Sequence, residues 1–257
     1  MTPSPAVNSV GDASARRTGE ELPAPARTRP DAPGKAVTPA DATCWTLIHA
    51  AAAGDRSARD GFARLYEPIA RTYFATRWRQ SAFHARLEDA VQDAFVECFK
   101  INGVLAKVVE SHPDGFRAFF HGVLRNIARR QESARGASQP LPEAQAADDT
   151  SLSVAFDKAW ARSLLQEAAR IQAETAAKSG DRSIKRVELL RLRFQEGLPI
   201  RDIATKWNED PANLHYEYTL ARDEFRAALR RVVAFHSPTA TEPQLETACR
   251  ELLHLLN

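Results

Sequence analysis

The sequence predicts an all-α protein, and three observations carry that reading. Apolar residues recur at three- and four-residue steps in segments spread from Phe62 to Leu256, the pattern of helices with one buried face. Runs of Val, Ile and Thr alternating at period two, which would mark strands, are absent. Helix punctuation occurs twice, as Gly197 followed by Pro199 and as Asp210 followed by Pro211.

Along the chain, residues 1–43 come first, with seven of the fifteen prolines and no aromatic residue. Such a segment cannot bury enough surface to offset its ordering entropy, so it reads as a disordered arm. One helix face follows at Phe62, Leu65, Ile69 and Tyr73, a second at Leu87, Val91, Ala94 and Cys98, and a third at Phe116, Phe119, Val123 and Ile127. Pro113-Asp114 would start the third helix, with a carboxylate near its positive end. A helix-hostile tract at 133–150, containing Gln139-Pro140-Leu141-Pro142, reads as a flexible linker.

Beyond it, Ile184, Val187, Leu190 and Phe194 line a helix that Gly197 ends. Ile200, Ile203, Ala204 and Trp207 give two turns. Asp210 as N-cap, with Pro211 at the first helical position, then opens a long helix carrying Leu214, Tyr218, Ala221, Phe225, Ala228 and Val232. Leu245, Ala248, Leu252 and Leu256 close the chain. The predicted organisation is an arm at 1–43, a helical domain at 44–132, the linker at 133–150, a second domain at 151–235 and a C-terminal helical extension at 236–257.

Composition excludes several classes. The net charge of +2 rules out a polycation that coats nucleic acid by charge alone. Cys44, Cys98 and Cys249 form no disulfide framework and no zinc spacing, which fits a reducing cytoplasm. No apolar run approaches the ~20 residues of a membrane span. Arg16-Arg17 is followed by Thr18-Gly19-Glu20-Glu21 rather than an apolar export signal. HExxH, GxxxxGK[ST] and GxSxG are missing, so an enzyme reading has no motif behind it. His84, His112 and His121 read as surface or capping residues.

Three segments carry chemistry. Residues 200–222 have the proportions of a helix-turn-helix, whose second helix enters the DNA major groove, although an ordinary helical hairpin has the same spacing. Residues 211–221 contain no Lys or Arg, so base reading would fall to Asn213, His215, Tyr216 and Glu217, with Arg222 meeting a phosphate. Residues 87–99 place Asp89, Gln92, Asp93 and Glu97 along one helix that lacks any cation, a surface for a basic partner or simply a solvated face. Residues 116–135 set Arg117, Arg125, Arg129, Arg130 and Arg135 beside Phe116, Phe119 and Phe120. Cations with rings suit single-stranded DNA, while helical spacing sends at least two of the rings to the core.

In this order the segments resemble bacterial sigma factors of the sigma-70 superfamily, and more narrowly its two-module extracytoplasmic-function group. The likeness covers about 45–232. Asp89-Ala90-Val91-Gln92-Asp93-Ala94-Phe95 resembles the D-L-V-Q-E-x-F stretch of region 2, which implies that Asp89, Gln92, Asp93 and Glu97 bind the β′ clamp helices of RNA polymerase core. The stretch from Phe116 to Arg130 resembles F-x-x-W-L-x-x-I-A-R-N-x-A-x-D, which implies −10 element and single-strand contacts by Arg117, Phe119, Phe120, Arg125, Asn126, Arg129 and Arg130. Leu190 to Leu198, Ile203-Ala204 and Ala221-Arg222 resemble region 4, which reads the −35 element and meets the β flap.

The chain departs from the pattern in several places. Phe119 replaces a Trp, Arg130 an Asp, and Asn213, His215 and Glu217 replace Thr, Lys and Arg. The segment 100–115 is long, and the arm and tail lie outside the pattern, as in sigma factors of the planctomycete kind. The resemblance implies a transcription-initiation subunit with promoter DNA and polymerase core as partners. It leaves room for an anti-sigma factor or other regulator, and it requires neither cofactor nor metal. A helix-turn-helix regulator acting without polymerase is the alternative, as is a helical interaction protein.

Overall fold

Asp55 shows how local chemistry starts these helices: its carboxylate accepts the Ala58 N–H at 2.7 Å, capping the helix that runs from Arg56 to Arg77. The computed structural model describes residues 44–108, 115–136 and 149–255. Every α-helix or strand assigned among them is an α-helix: α1 Cys44–Ala52, α2 Arg56–Arg77, α3 Leu87–Phe99, α4 Gly115–Gly136, α5 Asp149–Ser179, α6 Asp181–Phe194, α7 Ile200–Trp207, α8 Pro211–His236 and α9 Glu242–His254. The all-α expectation holds. The arm at 1–43 and the Pro113-Asp114 start lie outside the described residues.

The larger apolar cluster is built on α2, whose Phe62, Tyr66, Ile69, Tyr73 and Phe74 are essentially inaccessible. Val91, Ala94 and Cys98 of α3 and Phe116, Phe120 and Leu124 of α4 close on it. The rings of Phe62, Tyr66, Phe116 and Phe120 meet at 4.5 to 6.2 Å between centroids. The expected faces of these three helices are therefore the buried ones.

Helix α5, of 31 residues, packs against α2, α6 and α8. Its Ser163 hydroxyl donates to the Leu65 carbonyl, and Gln172 Nε2 donates to the Ala221 carbonyl at 3.0 Å. The cluster continues through Phe156 and Trp160 of α5 to Leu229, Val232 and Val233 of α8 and Leu245 of α9. Helices from both sides of the expected linker thus share one core. Helix α4 runs on to Gly136 and α5 begins at Asp149, so both ends of that tract are helical, while 137–148 lie outside the described residues.

A second, smaller cluster joins Leu189 and Leu192 of α6, Ile200, Ile203 and Ala204 of α7 and Leu214 of α8, with Trp207 and Tyr218 against it. Ile203, Ala204 and Trp207 of α7 thus meet Leu214 and Tyr218 of α8 in one cluster. The face of α6 is only partly the expected one: Leu190 is buried, but Ile184 is 48% and Phe194 67% exposed, whereas Leu189 and Leu192 are 1% exposed. Helix α6 carries two apolar stripes, and packing by α7 and α8 buries Leu189 and Leu192 of the second. Sequence spacing alone does not choose between stripes.

The turn between α7 and α8 reverses at Asn208, whose φ of +53° lies in the left-handed region that Asn tolerates. Asp210 then caps α8, accepting the Asn213 N–H at 3.0 Å, with Pro211 at the first helical position as expected. Asp210→Ala is expected to lower the unfolding free energy by about 1 kcal/mol, and Asp210→Asn by a few tenths. Urea titration followed by helical circular dichroism measures both.

Candidate functional site

On α3, Ala90, Val91, Ala94 and Cys98 turn to the core, which leaves Asp89 and Gln92 exposed. The carboxylates around them are largely paired. Glu88 pairs with Arg71 of α2, and Asp93 accepts from Gln131 Nε2 of α4 at 2.9 Å. Glu97 pairs with Lys100 at 2.5 Å and with Arg130 of α4 at 3.1 Å. Lys100 and then Arg130 hold the Glu97 carboxyl below its ordinary range. The cations missing from the helix's own sequence are therefore supplied by the following residue and by neighbouring helices. Val96, 55% exposed, and Ile101, 91% exposed, lie on and just beyond this helix, and sequence reading missed both.

Helix α4 separates its expected DNA residues into two groups. Phe120 is fully buried and Phe116 is 4% exposed, so neither ring is available to a base; Phe119 is partly buried against the same core. This corrects the expectation for Phe120: its spacing with Phe116 and Leu124 marks core, as helical periodicity allows. Arg117 pairs with Asp157 of α5, and Arg130 with Glu97. Arg125, Asn126 and Arg129 are exposed. The Arg135 side chain lies outside the described residues.

Glu132, the acid of this basic helix, takes Arg77 Nε at 2.7 Å, Arg77 Nη2 at 2.8 Å and Trp78 Nε1 at 2.9 Å. Burial opposes its ionisation, but the donors from Arg77 and Trp78 outweigh burial and hold its pKa below the ordinary value.

On α8, Asn213, His215, Tyr216 and Arg222 are exposed, with Arg222 5.6 Å from the Tyr218 ring. Glu217 differs. It accepts from Arg182 Nε at 2.9 Å and Arg186 Nη1 at 3.2 Å, its side chain is 13% exposed, and first Arg182 and then Arg186 hold its pKa down against burial. It ties α8 to α6 rather than facing outward, which corrects its expected base-reading role. A cleft of about 190 Å³ beside it is lined by Arg182, Lys185, Trp207 and Asn213, among others.

Among the described residues, no group of three or more His, Cys, Asp or Glu able to hold a metal ion occurs. His84 is exposed. His121 packs its ring on Tyr73 and Phe156, and His112 lies outside the described residues.

No family model, curated protein or solved structure matches this chain. No described helix is long and apolar enough to cross a membrane.

Sequence reading also passed over the junction at His236. Its Nε2 lies 3.2 Å from the Tyr66 hydroxyl and its Nδ1 2.9 Å from the Val232 carbonyl, so Nδ1–H donates to the carbonyl and Nε2 accepts from Tyr66. Cys44 Sγ donates to the His236 carbonyl at 3.8 Å. Nothing near residue 236 in the chain signals a contact with residues 44 and 66.

Proposed function

We propose that the protein is a dissociable promoter-specificity subunit of bacterial RNA polymerase, of the extracytoplasmic-function sigma type. The observation that carries this reading is the exposed row Arg125, Asn126 and Arg129 on a helix packed against α3, which itself exposes Asp89 and Gln92. Cations and an amide set in helical register suit the phosphates and edges of an unpaired strand. A carboxylate beside an amide suits a basic partner surface, here that of the polymerase clamp helices. The exposed first turns of α8, with Asn213, His215 and Tyr216, enter a major groove upstream. Each contact is weak alone. Carriage by one large partner turns the second contact into an intramolecular event and raises its effective concentration.

The test is binding to core polymerase followed by run-off transcription. Asp89→Asn with Gln92→Ala is expected to weaken core binding about tenfold, on the order of 1.4 kcal/mol, and to lower run-off product accordingly. Unchanged core affinity in that variant would remove the docking role. A gel shift with the purified protein separates this reading from a regulator that works without polymerase, which retains duplex DNA unaided.

A further inference from the structure

A cleft of about 170 Å³ lies where α5, α6 and α8 meet, lined by residues that the functional reading leaves unused. It is smaller than the roughly 300–1,000 Å³ of pockets for drug-sized molecules. Empty gaps between helices are apolar, but this one is not. Gln172 and Ser183 line it at 5% and 8% exposure. Gln172 commits its Nε2 to the Ala221 carbonyl, which leaves Oε1 to accept. The Thr175 hydroxyl, also in the lining, donates to the Ile171 carbonyl at 2.8 Å and keeps its lone pairs.

Glu224 brings a negative charge to this wall. Its Oε1 pairs with Arg186 at 2.7 Å, and its Oε2 is buried without a hydrogen-bond partner among the described residues. A desolvated carboxylate oxygen left unmatched is costly, and a charged donor relieves it best. Seven residues on, Arg231 lines the same cleft from the same face of α8, about 10 Å further along the axis. It is exposed and makes no ion pair among the described residues. Ala227 and Ala228 stand between the two, with side chains too small to fill the groove.

We propose that this cleft binds a free α-amino acid with a small apolar side chain, whatever the fate of the polymerase reading. The ligand's ammonium group has three N–H donors, for Glu224 Oε2, Gln172 Oε1 and Thr175 Oγ1. Its carboxylate goes to Arg231, whose side chain leans toward the N-terminus of α8, and so toward Glu224, as helical side chains do. Its apolar part lies against Ile171 and Ala228. Arg231 disfavours a bare metal ion or a diamine, because either would meet a second cation. A bound amino acid bridges α5 and α8 and stabilises the folded chain.

The test is isothermal titration calorimetry of the full chain at neutral pH with L-valine, isobutylamine and isovalerate. The last two are valine without its carboxylate and without its ammonium group. L-valine is expected to bind with a dissociation constant on the order of 1 mM or tighter, and each analogue about tenfold more weakly. Arg231→Gln is expected to weaken valine about tenfold, to the level of isobutylamine, and Glu224→Gln to weaken it about as much, to the level of isovalerate. Glu224→Gln also loosens the contact with Arg186, so circular dichroism checks its fold; should it unfold, the exposed change Arg231→Gln decides alone. No binding of valine up to about 10 mM, valine bound no more tightly than either analogue, or unchanged affinity in Arg231→Gln overturns the inference.

Discussion

Glu132→Ala is expected to lower the unfolding free energy by about 3–5 kcal/mol, enough to consume a large part of a domain's stability. The side chains of Arg77 and Glu132 are only 10% and 20% exposed. Removing the carboxylate takes the acceptors from two guanidinium nitrogens of Arg77 and from the Trp78 N–H at the same time, and breaking a largely buried charge pair on one side costs far more than the pair is worth. Glu132→Gln keeps one acceptor while losing the charge, so a loss of about 1–3 kcal/mol is expected. Urea titration of the three proteins at neutral pH gives the comparison. Equal stability of wild type and Glu132→Ala would mean that α2 and α4 are held by their apolar faces alone.

The second large effect is on pH dependence. Desolvation pushes the His236 imidazole from its ordinary 6.5 down to about 4, against smaller opposing contributions from the Val232 carbonyl and Glu167. Between those values the unfolded chain binds a proton that the folded chain does not, so stability is complete above pH 6.5 and falls as the solution is acidified. At about 1.4 kcal/mol per pH unit, the loss is roughly 2 kcal/mol between pH 7 and pH 5 and about 3 kcal/mol by pH 4. Urea titrations across pH 7 to 5 lie mostly above the range where carboxylates protonate, and they isolate this contribution. The His236→Gln variant is expected to show a flat profile there; a slope equal to that of wild type would assign the dependence elsewhere.

The parts of this fold that could be read from sequence are those with a single buried stripe. Phe62, Leu65, Ile69 and Tyr73 announce α2, and Leu214, Ala221, Ala228 and Val232 announce α8, because each helix meets its core along one line. Helix α5 escaped notice because it is covered on several sides, by α2, α6 and α8, which spreads Phe156, Trp160, Ala161 and Ala168 around its circumference. Helix α1 is only nine residues long, too short for a period to establish itself.

The candidate site divided in the same way. Exposure of Asp89, Gln92, Arg125 and Arg129 follows from which side of each helix is apolar. The cross-helix pairings of Asp93, Glu97, Glu132 and Glu217 join residues 31 to 55 positions apart, and no local pattern encodes them.

Helix α8 stands with its second half among Ala228, Leu229, Val232 and Val233 and its first half in the smaller cluster at Leu214. From Pro211 to Ala228 the rod extends about 26 Å at 1.5 Å per residue. A tilt of about 5° at its base swings the first turn sideways by about 2 Å, a large fraction of the reach of a hydrogen bond. The position of Asn213, His215 and Tyr216 thus depends on side-chain volume at the far end of a lever, and under the proposed function substitutions there would retune recognition without touching what is recognised.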